Sequence, residues 1–117
     1  MALLVTQRVE DGFGILHLVG PLTLGPSLNA LRESARQLMA GSQLSGVILQ
    51  VDQVTTVDSA GLGELTVVYG YANQKRIGIR LVGTTPSLLK LLDMTRIEEL
   101  LPPAKDMQSA KRELLAK

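Results

Sequence analysis

The residue of this chain best placed for chemistry is a serine, in Val57-Asp58-Ser59-Ala60-Gly61-Leu62-Gly63. Its hydroxyl follows an apolar run, sits beside an acid, and opens a helical pattern. A catalytic serine needs a general base, and the one histidine, His17, lies in the apolar run Gly14-Ile15-Leu16-His17-Leu18-Val19-Gly20. On a strand its ring faces away from Leu16 and Leu18, as a polar position that meets solvent or covers a sheet. The GxSxG elbow and the Walker A pattern are absent, and Gly61-Leu62-Gly63 lacks a third glycine at Thr66, so acyl transfer and a nucleotide fingerprint both fail. With no cysteine there is no disulfide, thiolate or thiol nucleophile, and one histidine among scattered carboxylates does not make a metal site. No enzyme, cofactor or metal centre is expected.

Two roles remain for Ser59. At a helix start the first N–H groups lack intrahelical partners and the macrodipole adds roughly half a positive charge. A phosphoryl group on Ser59, bringing about −1.5 to −2 charges, suits that end, while Asp58 and Glu64 would repel it. Alternatively, Asp and Ser act here only as N-caps, and the glycines only permit close packing on a sheet.

The surrounding periodicities say what must hold this segment. Residues 3–9 and 13–19 are β-prone runs around the acidic turn Glu10-Asp11-Gly12, a hairpin signal, and Gly20-Pro21 is expected to stop the second strand. From Pro26 the period changes: Leu28, Leu31, Ala35, Leu38 and Met39 form the stripe of an amphipathic helix ending near Ala40 and Gly41. A strand over residues 47–51, continued by Val54 and Val57, leads to Asp58. A second helix follows, with Leu62, Leu65, Tyr69 and Ala72 as its stripe. Residues 77–82 return to strand, and Thr85-Pro86 opens a third helix carrying Leu88, Leu89, Leu91 and Leu92. Residues 97–101 are expected to form a short edge strand. Pro102-Pro103 then separates it from a weak helical stripe of Met107, Ala110 and Leu114. Alternating strands and helices imply parallel pairs joined by right-handed crossovers. The expected fold is α/β, a mixed four- to five-stranded sheet with an antiparallel first strand and helices packed on one face. Expected core positions are Leu31, Leu38, Val47, Leu49, Val51, Leu65, Tyr69, Leu81 and Leu92.

Composition narrows the partners. The chain has 117 residues, within the size of one domain (roughly 100–150 residues), and nothing in it marks an internal boundary, so residues 1–117 read as a single domain. Twelve basic against eleven acidic residues leave a net charge of +1, with no basic footprint for nucleic acid. Phe13, Tyr69 and Tyr71 are too few for base stacking. No apolar run approaches the roughly 18 residues that span a bilayer, and the start lacks the features of a signal peptide. A cytoplasmic protein without membrane insertion is expected.

The order strand, strand, helix, strand, Asp58-Ser59-Ala60-Gly61-Leu62-Gly63, helix, strand, helix resembles the STAS domain of bacterial anti-sigma factor antagonists and sulfate-transporter tails. Leu81-Val82-Gly83 followed by Pro86, and Leu91-Leu92-Asp93-Met94-Thr95, add to the likeness. The resemblance implies partner switching in transcription regulation. The unmodified protein would capture an anti-sigma factor that is also a serine kinase, phosphorylation of Ser59 by that kinase would release it, and a PP2C-type phosphatase would reverse the mark. Asp58, Ser59, Ala60, Gly61, Leu62, Gly63 and Thr23 would form the partner surface. Thr23 stands where many antagonists carry an acidic residue, so that carboxylate is missing here. The alternative within the resemblance is an accessory subunit docking on a membrane transporter or sensory scaffold without phosphorylation. Weak nucleotide binding at the Ser59 helix terminus is a third alternative, apart from the resemblance.

Overall fold

The computed structural model describes residues 2–41 and 43–116. β1 (Leu4–Glu10) and β2 (Phe13–Leu22) pair antiparallel from Leu4↔Val19 to Glu10↔Phe13. The two residues between them, Asp11 and Gly12, both have positive φ, 55° and 81°. That is the backbone a two-residue hairpin needs to match strand twist, which is why an Asp-Gly pair occupies it. α1 (Leu28–Gly41), β3 (Gly46–Val57), α2 (Ser59–Gln74), β4 (Ile79–Val82), α3 (Pro86–Thr95), β5 (Pro103–Ala104) and α4 (Met107–Leu115) follow. The sheet order is β1-β2-β3-β4-β5, with every pair after the first parallel.

The main core lies between α1, α2, α3 and one sheet face, where Leu16, Leu18, Val47, Leu49, Val51 and Leu81 meet Leu31, Leu38, Leu65, Leu88 and Leu92. The expected core residues are all buried except Tyr69, which is half-buried while Val68 takes the inner position. The first three helices pack on one face as expected, but α4 does not. It covers the opposite face, where Phe13, Ile15, Ile48, Val82 and Ala104 meet Ala110 and Leu114. A sheet apolar on both faces along the first half of its strands needs that second cover. Lys111 Nζ donates to Glu10 Oε2 at 2.6 Å and Asp11 Oδ2 at 2.9 Å, tying α4 to the β1–β2 turn.

Two further expectations are corrected. β2 does not stop at Gly20-Pro21 but runs to Leu22, because β3 carries an extra residue on each side of Val19–Gly20 and the ladder is irregular there. Proline is tolerated at such bulges. Residues 97–101 contain a single 3₁₀ turn, Ile97–Glu99, and the edge strand is Pro103–Ala104. Leu81 N donates to Pro102 O at 3.0 Å, so this edge uses the proline carbonyl and needs no donor from it. α3 begins as expected, with Thr85 Oγ1 accepting from Leu88 N at 3.2 Å and Pro86 in the first turn.

Leu31 is fully buried at the centre of the α1 stripe. Leu31→Ala is expected to lower unfolding free energy by about 2–5 kcal/mol in urea titrations. A loss under about half a kilocalorie would place that helix face wrongly.

Candidate functional site

β3 carries the chain straight into the serine segment. Its last residue, Val57, pairs with Leu22 at the end of β2, and Asp58 N then donates to Leu22 O at 3.3 Å. Asp58 is the N-cap of α2, in extended conformation, and Leu62 N donates to its carbonyl at 3.0 Å. Its two carboxylate oxygens do different work. Oδ1 accepts from Gly61 N at 2.8 Å within the helix's first turn, and Oδ2 accepts from Leu24 N at 2.9 Å in the β2–α1 loop. One side chain therefore fixes the helix start and the neighbouring loop against each other.

The same hydrogen bonds hold the Asp58 carboxyl below its usual range, that from Leu24 first and that from Gly61 second. Because the folded value lies below the unfolded one, near 3.9, this stabilisation is fully present above about pH 4 and is lost as pH falls through the lowered folded value. Asp58→Asn keeps one capping oxygen and replaces the other with an NH2 donor, so it cannot meet Leu24 N and Gly61 N through separate oxygens as the carboxylate does. Thermal melts from pH 3 to pH 7 should show the gap between wild type and this variant opening as pH rises. A gap independent of pH would contradict the assignment.

Gly61 is where α2 comes closest to the sheet. A Cβ there would overlap the Leu22 carbonyl oxygen and lie 2.6 Å from its carbon. The glycine is a packing requirement, as the second sequence reading held. Capping, however, accounts for Asp58 and not for Ser59, which is the first helical residue and exposed.

Asp58, Ser59 and Gly63 are exposed, Ala60 is half-buried, and Thr23 is half-buried between the anchored Leu22 and Leu24. Gly61 is buried, and Leu62 is only 6% exposed with its side chain in the main core. Both serve packing: Gly61 lies against Leu22, and Leu62 lies three positions before Leu65 and belongs to the buried stripe. Glu64 is corrected as a free charge opposing a phosphate. Its carboxylate is gripped by Arg32 of α1 through Nη2 at 2.5 Å and Nε at 3.3 Å, with its side chain 14% exposed. His17 stays on the sheet, its Nε2 3.8 Å from Asp52 Oδ1 and its strand partner Gln50. That is roughly 20 Å of strand before Ser59.

One residue escaped sequence reasoning. Leu24 is 79% exposed although its backbone is pinned to Asp58. With Ala2, Pro21, Thr23 and Pro26 it lines an open groove of about 600 Å³. An isolated leucine in Leu22-Thr23-Leu24-Gly25-Pro26 has no periodic partner; its only signal is an apolar side chain held among turn-forming residues.

A parallel crossover sheet with a capped, exposed serine at the carboxyl end of a central strand is the α/β arrangement in which ligands and partners are met beyond the strand ends. The STAS domain family model matches residues 5–110, and the chain belongs to that family. Among solved structures it is similar to a Thermotoga maritima protein, at 15% identity over 94% of this chain and 93% of that one, with a TM-score of 0.82. An anti-sigma factor antagonist of Mycobacterium paratuberculosis matches at 16% identity over 97% and 94%, TM-score 0.77. Bacillus SpoIIAA in its phosphorylated form matches at 14% identity over 96% and 99%, TM-score 0.70. At such identities the likeness is one of fold. No curated protein sequence matches the chain. Among the described residues no helix is long and apolar enough to cross a membrane.

Proposed function

We propose that this protein is an anti-sigma factor antagonist, a regulatory binding protein rather than an enzyme, switched by phosphorylation of Ser59. The observation that carries the reading is the division of labour at the α2 start. Asp58 does the capping, which leaves the Ser59 hydroxyl exposed on a helix end held rigidly to the β2–α1 loop. Unmodified, the surface of Ser59, Gly63, Thr23 and exposed Leu24 captures an anti-sigma factor serine kinase. A phosphoryl group adds about −1.5 to −2 charges beside Asp58 and next to an apolar contact, which weakens docking through repulsion and desolvation. A PP2C-type phosphatase restores the surface. The similar SpoIIAA fold has been solved in phosphorylated and unphosphorylated forms, which supports a switch carried by this fold. Incubation with the cognate kinase and ATP, followed by peptide mass spectrometry, should place phosphate on Ser59. Equal phosphorylation of Ser59→Ala would mean another site.

Gly63 gives the surface a separate test. A Cβ at Gly63 meets nothing within 4 Å, so the fold does not need the glycine. A helix-interior glycine costs roughly 0.5–1 kcal/mol relative to alanine. Gly63→Ala should raise stability by about that amount in urea titrations and yet weaken kinase binding, because the bare backbone one turn after Ser59 is where the partner comes close. Unchanged binding would remove Gly63 from the surface.

The second reading, an accessory subunit of a transporter or scaffold without phosphorylation, is favoured by one observation. Thr23 sits in the anchored loop where it brings no carboxylate to the serine. Recovery of a transporter ATPase or scaffold, and no anti-sigma kinase, in affinity capture would select it.

A further inference from the structure

The two edges of the sheet are finished differently. β5 is two residues long and begins with proline, which blunts an edge. β1 is seven residues long, contains no proline or lysine, and pairs with β2 without any irregularity. Its outer side faces no strand among the described residues. Leu4 is 61% and Val9 55% exposed, and Thr6, Gln7 and Arg8 are exposed as well. A regular edge of this length, with Arg8 and Glu10 as its only charges, presents a row of backbone donors and acceptors to another strand.

We propose that β1 pairs antiparallel with β1 of a second copy, joining the two sheets across a two-fold axis that passes beside Gln7. A symmetric antiparallel pair places some residue opposite itself. Centring on Gln7 is the choice that engages all seven residues. It sets Leu4 opposite Glu10, Val5 opposite Val9 and Thr6 opposite Arg8, each twice, and puts no like charges directly opposite each other. Centring one residue later, on Arg8, would face two guanidinium groups, which is unfavourable. Seven paired residues run to about 24 Å. A contact confined to two strands stays at the small end of specific interfaces, so the dimer is weak and depends on concentration.

The axis is perpendicular to the sheet, so it keeps the α1–α3 layers of both copies on one side and reverses the strand directions. The carboxyl ends of the two β3 strands, each with its Ser59, then point to opposite ends of the dimer, and both remain open. The inference does not depend on what Ser59 does.

Sedimentation velocity of the full chain from about 1 μM to 1 mM, with hydrogen exchange at both extremes, tests it. Dimer should grow with concentration, and added protection should fall within residues 4–10. Thr6 is exposed and faces Arg8 of the other copy in this register. Thr6→Glu should tighten and Thr6→Lys weaken the dimer by roughly two- to thirtyfold, since each cross-strand pair occurs twice. Circular dichroism confirms that both variants fold. A chain that stays monomeric at 1 mM overturns the proposal, and so does a dimer in which these two substitutions act alike. Absence of kinase binding by the unsubstituted chain, with the dimer formed as described, would count against the Ser59 reading alone.

Discussion

Gly61→Ala is expected to destabilise the protein by about 3 kcal/mol or more, at or beyond the upper end of ordinary overpacking. The added methyl would overlap the Leu22 carbonyl oxygen, and backbone rather than a flexible side chain stands in its way. Relief would require the start of α2 to lift from the end of β2. That movement would stretch the Asp58 N–Leu22 O bond and pull Asp58 Oδ2 from Leu24 N. The cost therefore combines overpacking with a weakened cap. Urea unfolding measures it, and the contrast with Gly63→Ala in the same helix makes it specific. Two glycines two residues apart should respond with opposite sign, because one lies against the sheet and the other in open space. A neutral Gly61→Ala would mean that α2 does not approach β2 as described.

Phosphorylation of Ser59 is expected to lower affinity for the anti-sigma kinase by roughly a hundredfold, about 3 kcal/mol, the size of effect reached when an unpaired charge is forced into a protein interface. The geometry explains why a local change has that reach. Asp58 already spends both carboxylate oxygens on backbone donors, so it cannot move aside. Leu24, held by one hydrogen bond to the residue just before the serine, keeps an apolar side chain in the same contact. Arg32 is committed to Glu64 and is not free to neutralise the new charge without giving up that pair. Ser59→Asp, with one charge fewer, should reproduce part of the loss. Ser59→Ala should bind like the unmodified chain and stay bound in the presence of ATP.

The layers of the fold were legible because each element carries its own period. The stripe of Leu28, Leu31, Ala35, Leu38 and Met39, the strand leading to Asp58, and the Thr85-Pro86 cap are local statements that the structure repeats. What failed were features decided between elements. A two-residue strand such as Pro103–Ala104 has no period of its own and exists only because β4 offers a neighbour. The run of β2 through Gly20-Pro21 depends on extra residues in β3, thirty positions away. The site shows the same split. The motif pointed to Ser59 and Asp58, but sequence could not say which of them capped, nor that Leu62 served the core. Spacing from Leu65 and membership in the motif argued opposite ways for Leu62, and burial decided between them. The Arg32–Glu64 bridge and the loop carrying Leu24 were invisible for the reason that governs all these cases: their partners are distant in the chain.

The most direct measurement is calorimetric titration of the cognate anti-sigma kinase with two forms of this protein, unmodified and phosphorylated at Ser59 to completion by mass spectrometry. The first should bind tightly and the second with affinity weaker by two orders of magnitude, with Ser59→Ala following the unmodified form. Equal affinity of both forms would contradict the Ser59 switch.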